Sequence, residues 1–489
     1  MYNSYGETIN NVASFNIPKL GKRIRFLIMT LCMLFTLIIT YDAIVESKST
    51  LLIICPIICG SLLNINKNIW KEISEFNVVQ CFFLLKVMER YMFYPLVCVL
   101  ASNSQFFCDE YIEKGTYLFM VEMIFVLTTW YFANRKYAKR YVSCFRAKDM
   151  SEYGKIYGKG TWLIWLMVII TIVTIPFSSE VTSNFSFIFS IDVHTASGTD
   201  FSSILYSLLY ILYDTTRILV PLPIIYILYK RYCRKHKSIY IGIAFVISFF
   251  PFMIIKNLNR GSAFFVTIIY ILIIIRLFGW KKSKYIAYVA GGISLILLSV
   301  VSSIKQGVLY YSQTTTILEK ALKSLEYYSL GVKTLGYGIQ TNELYNSYTI
   351  FDRINVLFTD TFGNLPVINR FFSSNHAYSY LYNSVVYMDT YNQNDCIAPL
   401  ISSSLFTLYA PIGLLIPCIF TILAVKLSYK NQASNNINEI VYLSYLGYIL
   451  VAAISGSYKV IISLIVWSVF PMYVVLKKIN FANGHNNLS

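Results

Sequence analysis

Long apolar runs alternate with short polar stretches along most of this chain. A helix needs roughly 20 apolar residues to cross the hydrocarbon of a bilayer. The pattern predicts spans near 26–46, 50–66, 78–101, 115–133, 160–178, 203–229, 238–256, 262–280, 285–304, 400–426, 439–457 and 459–477. Two connections are long. Residues 134–159 are rich in Lys, Arg and Tyr, and residues 305–399 form the largest connection. Connections of that size are functional or disordered, and 305–399 is too aromatic and apolar for disorder. The chain therefore divides into residues 1–304 with nine spans, a loop at 305–399, and residues 400–489 with three spans and a tail. The fold class expected is an all-α polytopic membrane protein with about 12 transmembrane helices.

The large loop carries helix signals of its own. In TTTILEKALKSLEYYSLG, Leu318, Leu322 and Leu325 recur at helical spacing and Gly331 follows as a stop. In SYTIFDRINVLFTDTFG, Ile350, Ile354, Leu357 and Phe358 form one face, and Thr349 with Asp352 makes a capping-box start. Amphipathic helices beside a membrane lie along its surface. They either cap the bundle or roof a cavity that opens to the outside.

Composition agrees with the pattern. Of 489 residues, 56% are hydrophobic and 13% charged, against about a quarter charged in soluble proteins. The net charge of +17 is read as orientation and not as nucleic-acid binding. The segments KLGKRIR, NRKYAKRY, KRYCRKHK and KKSK each follow or precede a span and fall on loops of one parity. The positive-inside bias then places both termini and these segments in the cytoplasm, where they can touch anionic headgroups. The first apolar run lacks a small-residue cleavage site and reads as a retained helix. Most of the ten cysteines lie in apolar runs as small hydrophobes. Cys108 and Cys396 fall on the outer face, where pairing is not expected. No CxxC pair, Cys/His cluster, Walker motif, HExxH or GxSxG occurs, so neither metal nor cofactor is expected.

Charges inside spans carry the chemistry, because a charge at the bilayer centre costs at least about 2.5–3.5 kcal/mol and faces a partner or a wet cavity. Lys86, Glu89 and Arg90 share a helix face in 78–101, Asp214 and Arg217 are spaced i, i+3 in 203–229, and Glu122 lies in 115–133. They either pair internally, with Glu89 on Lys86, Asp214 on Arg217 and Glu122 on Arg90 or Lys86, or line a cavity for an anionic substrate. In IIKNLNRGSAFF, Lys256 and Arg260 stand at the outward ends of two spans. A helix N-terminus with an Arg favours phosphate. The large loop adds Arg353, Arg370 and His376; an imidazole such as that of His376 can take a proton from a hydroxyl.

The Asn-Arg-Gly-Ser turn before a span, the large late loop, and NDCIAPLISSSLFTLYAPIGLLIPCIF with Pro399 and Pro411-Ile412-Gly413 together resemble the bacterial O-antigen and capsule repeat-unit polymerases (Wzy type). The resemblance implies a GT-C-like glycosyltransferase in the bacterial inner membrane, working on its outer face. Such enzymes transfer a growing glycan from one undecaprenyl-diphosphate carrier to a second lipid-linked repeat unit, without nucleotide sugar or metal. The partners implied are the lipid-linked oligosaccharide, the bilayer and a chain-length regulator. The diphosphate-binding role falls on Arg260, Arg217 and Arg353, joined by Lys256, Arg90 and Lys86. His376 is the first choice of base and Asp352 the second. Arg353 to Gly363 is one residue short of the Arg-x10-Gly segments of some relatives. A lipid-linked oligosaccharide flippase, an O-antigen ligase, a lipid-phosphosugar glycosyltransferase using Asp42 and Glu46, and a solute transporter are the alternatives.

Overall fold

A computed structural model of the chain describes residues 19–46, 52, 54–100, 110–145, 162–187, 203–256, 260–309, 329–363, 377–386, 397–434, 436–456 and 458–481. Nearly all of these are helical. In hydrocarbon a backbone must satisfy its own N–H and C=O groups, which helices do within one segment. Five described helices are long and apolar enough to cross a membrane: Lys19–Tyr41, Glu110–Ala138, Ile204–Lys235, Ile412–Ala433 and Ile437–Ser455. Shorter apolar helices cover Ile54–Ile65, Trp162–Phe177, Ile239–Met253, Ala263–Phe278 and Ile461–Leu476. Several are apolar on the free side as well as the packed one. On the first helix Ile28, Cys32, Phe35 and Ile39 are buried, while Phe26, Leu27, Met33 and Leu37 are exposed. A helix of that kind belongs in lipid, and the chain is a membrane protein.

The helices depart from the predicted spans in four instructive ways. The 238–256 run stops being helical after Met253, and Ile254–Lys256 forms an extended segment paired antiparallel with Phe185–Phe187. The all-α expectation thus meets a two-stranded ribbon. The 400–426 run is two helices, Leu400–Leu408 and Ile412–Ala433, broken at Tyr409 (φ +58°) and Pro411. Gly413 lets the two lie side by side, since a Cβ there would fall 2.7 Å from the Ser404 carbonyl oxygen. Two π-helical turns interrupt long helices, at Glu89–Phe93 and at Ile465–Val469. Such turns insert a residue and concentrate at functional sites.

The fourth departure concerns the large loop. Its described part forms a layer of short helices: Val332–Leu344, Ile350–Phe362, Tyr378–Val386 and, beyond the loop, Leu400–Leu408. Ile350–Phe362 opens with the capping box between Thr349 and Asp352, as its sequence predicts. TTTILEKALKSLEYYS lies outside the described residues except for its last serine, as do Cys108 and Cys396. The layer has a core of Val356, Tyr378, Leu381, Tyr382 and Phe406. It joins the bundle where Val332–Leu344 packs along Glu110–Phe145. Small residues make that contact possible: a Cβ on Gly336 would sit 2.6 Å from the Tyr111 carbonyl oxygen, and one on Gly115 would collide with that of Val332.

Candidate functional site

Two charge centres are buried in the bundle, each against a π turn. The first joins the Val78–Leu100 segment to the Glu110 helix. Arg90 Nη2 donates to Glu122 Oε2 at 2.6 Å, with both side chains 1% exposed. Lys86 Nζ lies 3.1 Å from Glu89 on the same helix face. The pairing expected for a purely internal role is thus met here: two cations, two carboxylates, no surplus. The loop layer docks on this centre. Arg90 Nη1 donates to the Leu330 carbonyl at 2.8 Å, Ser329 Oγ donates to Glu89 at 3.3 Å, and the Val332 N–H donates to Tyr94 Oη at 2.8 Å. Leu330 has φ +48°, and a side chain on Gly331 would run into the Tyr94 ring. Beside Lys86 and Glu89 lies a cavity of about 40 Å³ walled by Phe82, Leu85, Phe265 and Tyr448, enough for two or three waters.

The second centre is unbalanced. Asp214 Oδ1 accepts from Arg217 Nη2 at 2.8 Å, and Asp214 Oδ2 accepts from Lys256 Nζ at 2.7 Å and from Ser468 Oγ at 2.8 Å. Arg217 Nη1 donates to the Ile254 carbonyl at 3.0 Å, which fastens the guanidinium to the extended segment. Lys256 Nζ lies 4.4 Å from the centroid of the Tyr210 ring. Among the described residues, Asp214 is the single carboxylate paired with either cation, so one positive charge is left over. Arg217 Nε and Thr215 Oγ1 are buried with no hydrogen-bond partner among the described residues. Lys256 is the more accessible of the two cations, at 15% against 2%. Four residues after Lys256 the next helix opens at Arg260; the Arg260 side chain lies outside the described residues. The helix break at Met253 is what carries Lys256 to Asp214.

The remaining candidates stand apart from both centres. Arg353 is buried in the loop layer, donating to the Phe406 carbonyl at 2.6 Å and the Tyr348 carbonyl at 3.2 Å, with its guanidinium 4.7 Å from the Phe406 ring centroid. Its donors are taken up by main-chain oxygens, which makes it a fastener of the layer. Asp352 is engaged by its own helix: Oδ2 accepts from the Thr349 hydroxyl and amide at 2.7 and 2.8 Å, and these bonds hold its carboxyl below the ordinary range. That suits a cap better than a base. His376 lies outside the described residues. Sequence reading missed Ser468, Tyr94 and Ser329. The signal for Ser468 is a lone hydroxyl in the apolar run IVWSVF, a residue type that bonds across helices in membranes.

No match to this chain is found among family models, curated proteins or solved structures.

Proposed function

We propose that this protein polymerises lipid-diphosphate-linked oligosaccharide repeat units on the outer face of a bacterial inner membrane. The reading takes the 12 predicted spans with both termini cytoplasmic, so that the loop layer faces outward. The observation that carries it is the surplus cation at Asp214, Arg217 and Lys256. A buried excess of positive charge is costly without a counter-anion, and a diphosphate bound beside Lys256 and Arg260 supplies one. The balanced centre at Arg90 and Glu122 has no such need.

In the proposed step, the bond between C1 of the donor sugar and the carrier diphosphate breaks as C1 bonds to an acceptor hydroxyl oxygen. The hydroxyl proton passes to His376, and the diphosphate leaves with the carrier. Lys256, Arg217 and Arg260 meet the charge that develops on the leaving group, the usual way fixed cations lower such a barrier.

Complementation of a deletion strain, read as a surface-glycan ladder, tests this. Lys256→Met removes the surplus charge and leaves Asp214 paired with Arg217 and Ser468, so the protein should reach the membrane and the long ladder should vanish with the single repeat retained. A normal ladder from Lys256→Met or Arg260→Ala refutes the assignment. Loss of every repeat on deletion, the single one included, points to a flippase or ligase.

A further inference from the structure

From Thr215 to Leu318 the chain contains no Asp or Glu. Two basic segments of that stretch, far apart in sequence, are neighbours in the fold. KRYCRKHK (230–237) ends the Pro221–Lys235 helix, and Lys281, Lys282 and Lys284 begin the Trp280–Leu309 helix. Tyr232 joins them, with its ring centroid 5.1 Å from that of Phe278 and 5.3 Å from Lys282 Nζ. The Ile239–Ser248 helix packs against the Trp280 helix and closes the group. None of the eight Lys and Arg side chains forms an ion pair with a described carboxylate, and all but Lys284 are exposed. A patch of this size that merely faced water would be self-repelling.

The surface next to the cations is apolar. Tyr285, Tyr288 and Val289 stand exposed one to two turns along the Trp280 helix, and Ile227, Ile239 and Ile243 do so on the two neighbouring helices. Cations bordering exposed aromatic and aliphatic side chains mark the headgroup level of a bilayer, with the apolar side chains in acyl chains and the ammonium groups among phosphates. We infer that this patch is a binding site for anionic phospholipid headgroups of the leaflet into which these helix ends project. Charge complementarity selects the ligand: eight cations from two segments, none paired with a carboxylate among the described residues, match several phosphates at once, and basic pockets between helix ends are how membrane proteins hold such lipids. The inference is independent of the proposed polymerase reaction.

The test uses the full chain, purified in detergent and titrated with phosphatidylglycerol or phosphatidylcholine, with bound lipid counted by native mass spectrometry. The wild type should retain phosphatidylglycerol and not phosphatidylcholine. The variant R231Q/R234Q/K281Q/K282Q/K284Q should bind phosphatidylglycerol at least about tenfold more weakly. A control losing five other exposed basic charges, K19Q/K22Q/R23Q/R135Q/K136Q, should stay within twofold of wild type. Equal losses in the two variants, or unchanged binding in the first, overturn the site and leave only a diffuse basic surface.

Discussion

Replacing Arg90 by Met should destabilise the protein strongly, and replacing Glu122 by Leu in the same chain should restore most of the loss. The 2.6 Å contact between two fully buried side chains is worth a bare attraction of about 6 kcal/mol at an effective dielectric of about 20, much of it offset by the cost of removing both charges from water. Removing one partner strands the other, which costs about 3–5 kcal/mol, whereas replacing both by apolar residues is often neutral. The double variant still lacks the bond from Arg90 to the Leu330 carbonyl, about 1.5–3 kcal/mol for a charged donor. The expected pattern is a loss of about 5–8 kcal/mol for Arg90→Met, which strands Glu122 and loses the Leu330 bond, and about 1.5–3 for the pair, which loses the bond alone. A fluorescent fusion heated in detergent and followed by size-exclusion chromatography reports the order of midpoints. Additive losses, with the double variant worse than either single one, would falsify the account of Arg90 as an internally neutralised anchor. A double variant that is stable and still makes polymer separates anchoring from ligand binding.

Asn134 sits in a buried polar knot, accepting from Gln80 Nε2 at 2.9 Å and Tyr429 Oη at 3.1 Å while donating to the Trp130 carbonyl. Interhelical bonds in membranes average about 0.6 kcal/mol and reach about 1.7, so Asn134→Ala should cost about 1–2 kcal/mol in the same melting assay. Gly336→Leu should break the packing of Val332–Leu344 on the Glu110 helix, lowering the midpoint and exposing the loop layer to added protease; an unchanged digestion pattern contradicts that packing. Glu72, in the short Lys67–Ser74 helix outside the predicted spans, has its carboxyl pushed up to about 7 by burial and by Glu75, against the bond from Asn77. Its folded value lies above its unfolded one, so its contribution to stability is complete below about pH 4.5 and is lost as pH rises through about 7. Glu72→Gln should therefore raise the stability at pH 8, by up to about 3 kcal/mol, and with it the midpoint, and leave both unchanged near pH 4.5; a gain at low pH reverses the sign and refutes the reasoning.

What could be read from the sequence was local. Lys86–Glu89 and Asp214–Arg217 follow from i, i+3 spacing, and Thr349–Asp352 from a capping motif four residues long. Glu122 finding Arg90 was foreseeable because so few cations lie at matching depth. Lys256 reaching Asp214 was not, since a hydropathy pattern does not say that a helix will unwind after Met253. Nor was the Val332–Leu344 helix: glycine is a poor helix former, and the role of Gly336 and Gly338 as a close-packing face needs Gly115 and Ser402 opposite them. The polar knot at Asn134 draws on three helices, so each of its members looks like an isolated polar residue in an apolar run.

The separation of charged partners along the chain has a consequence for biogenesis. Asp214 meets Arg217 three residues later and Lys256 after 42, and Arg90 precedes Glu122 by 32. At about 5–20 residues per second, each carboxylate waits no more than several seconds for a cation and usually emerges with one already made. The charges can leave the insertion machinery inside helical hairpins that are already neutral or cationic. No buried carboxylate of either centre then has to sit alone in lipid while the loop layer, more than 100 residues downstream of each, is still on the ribosome.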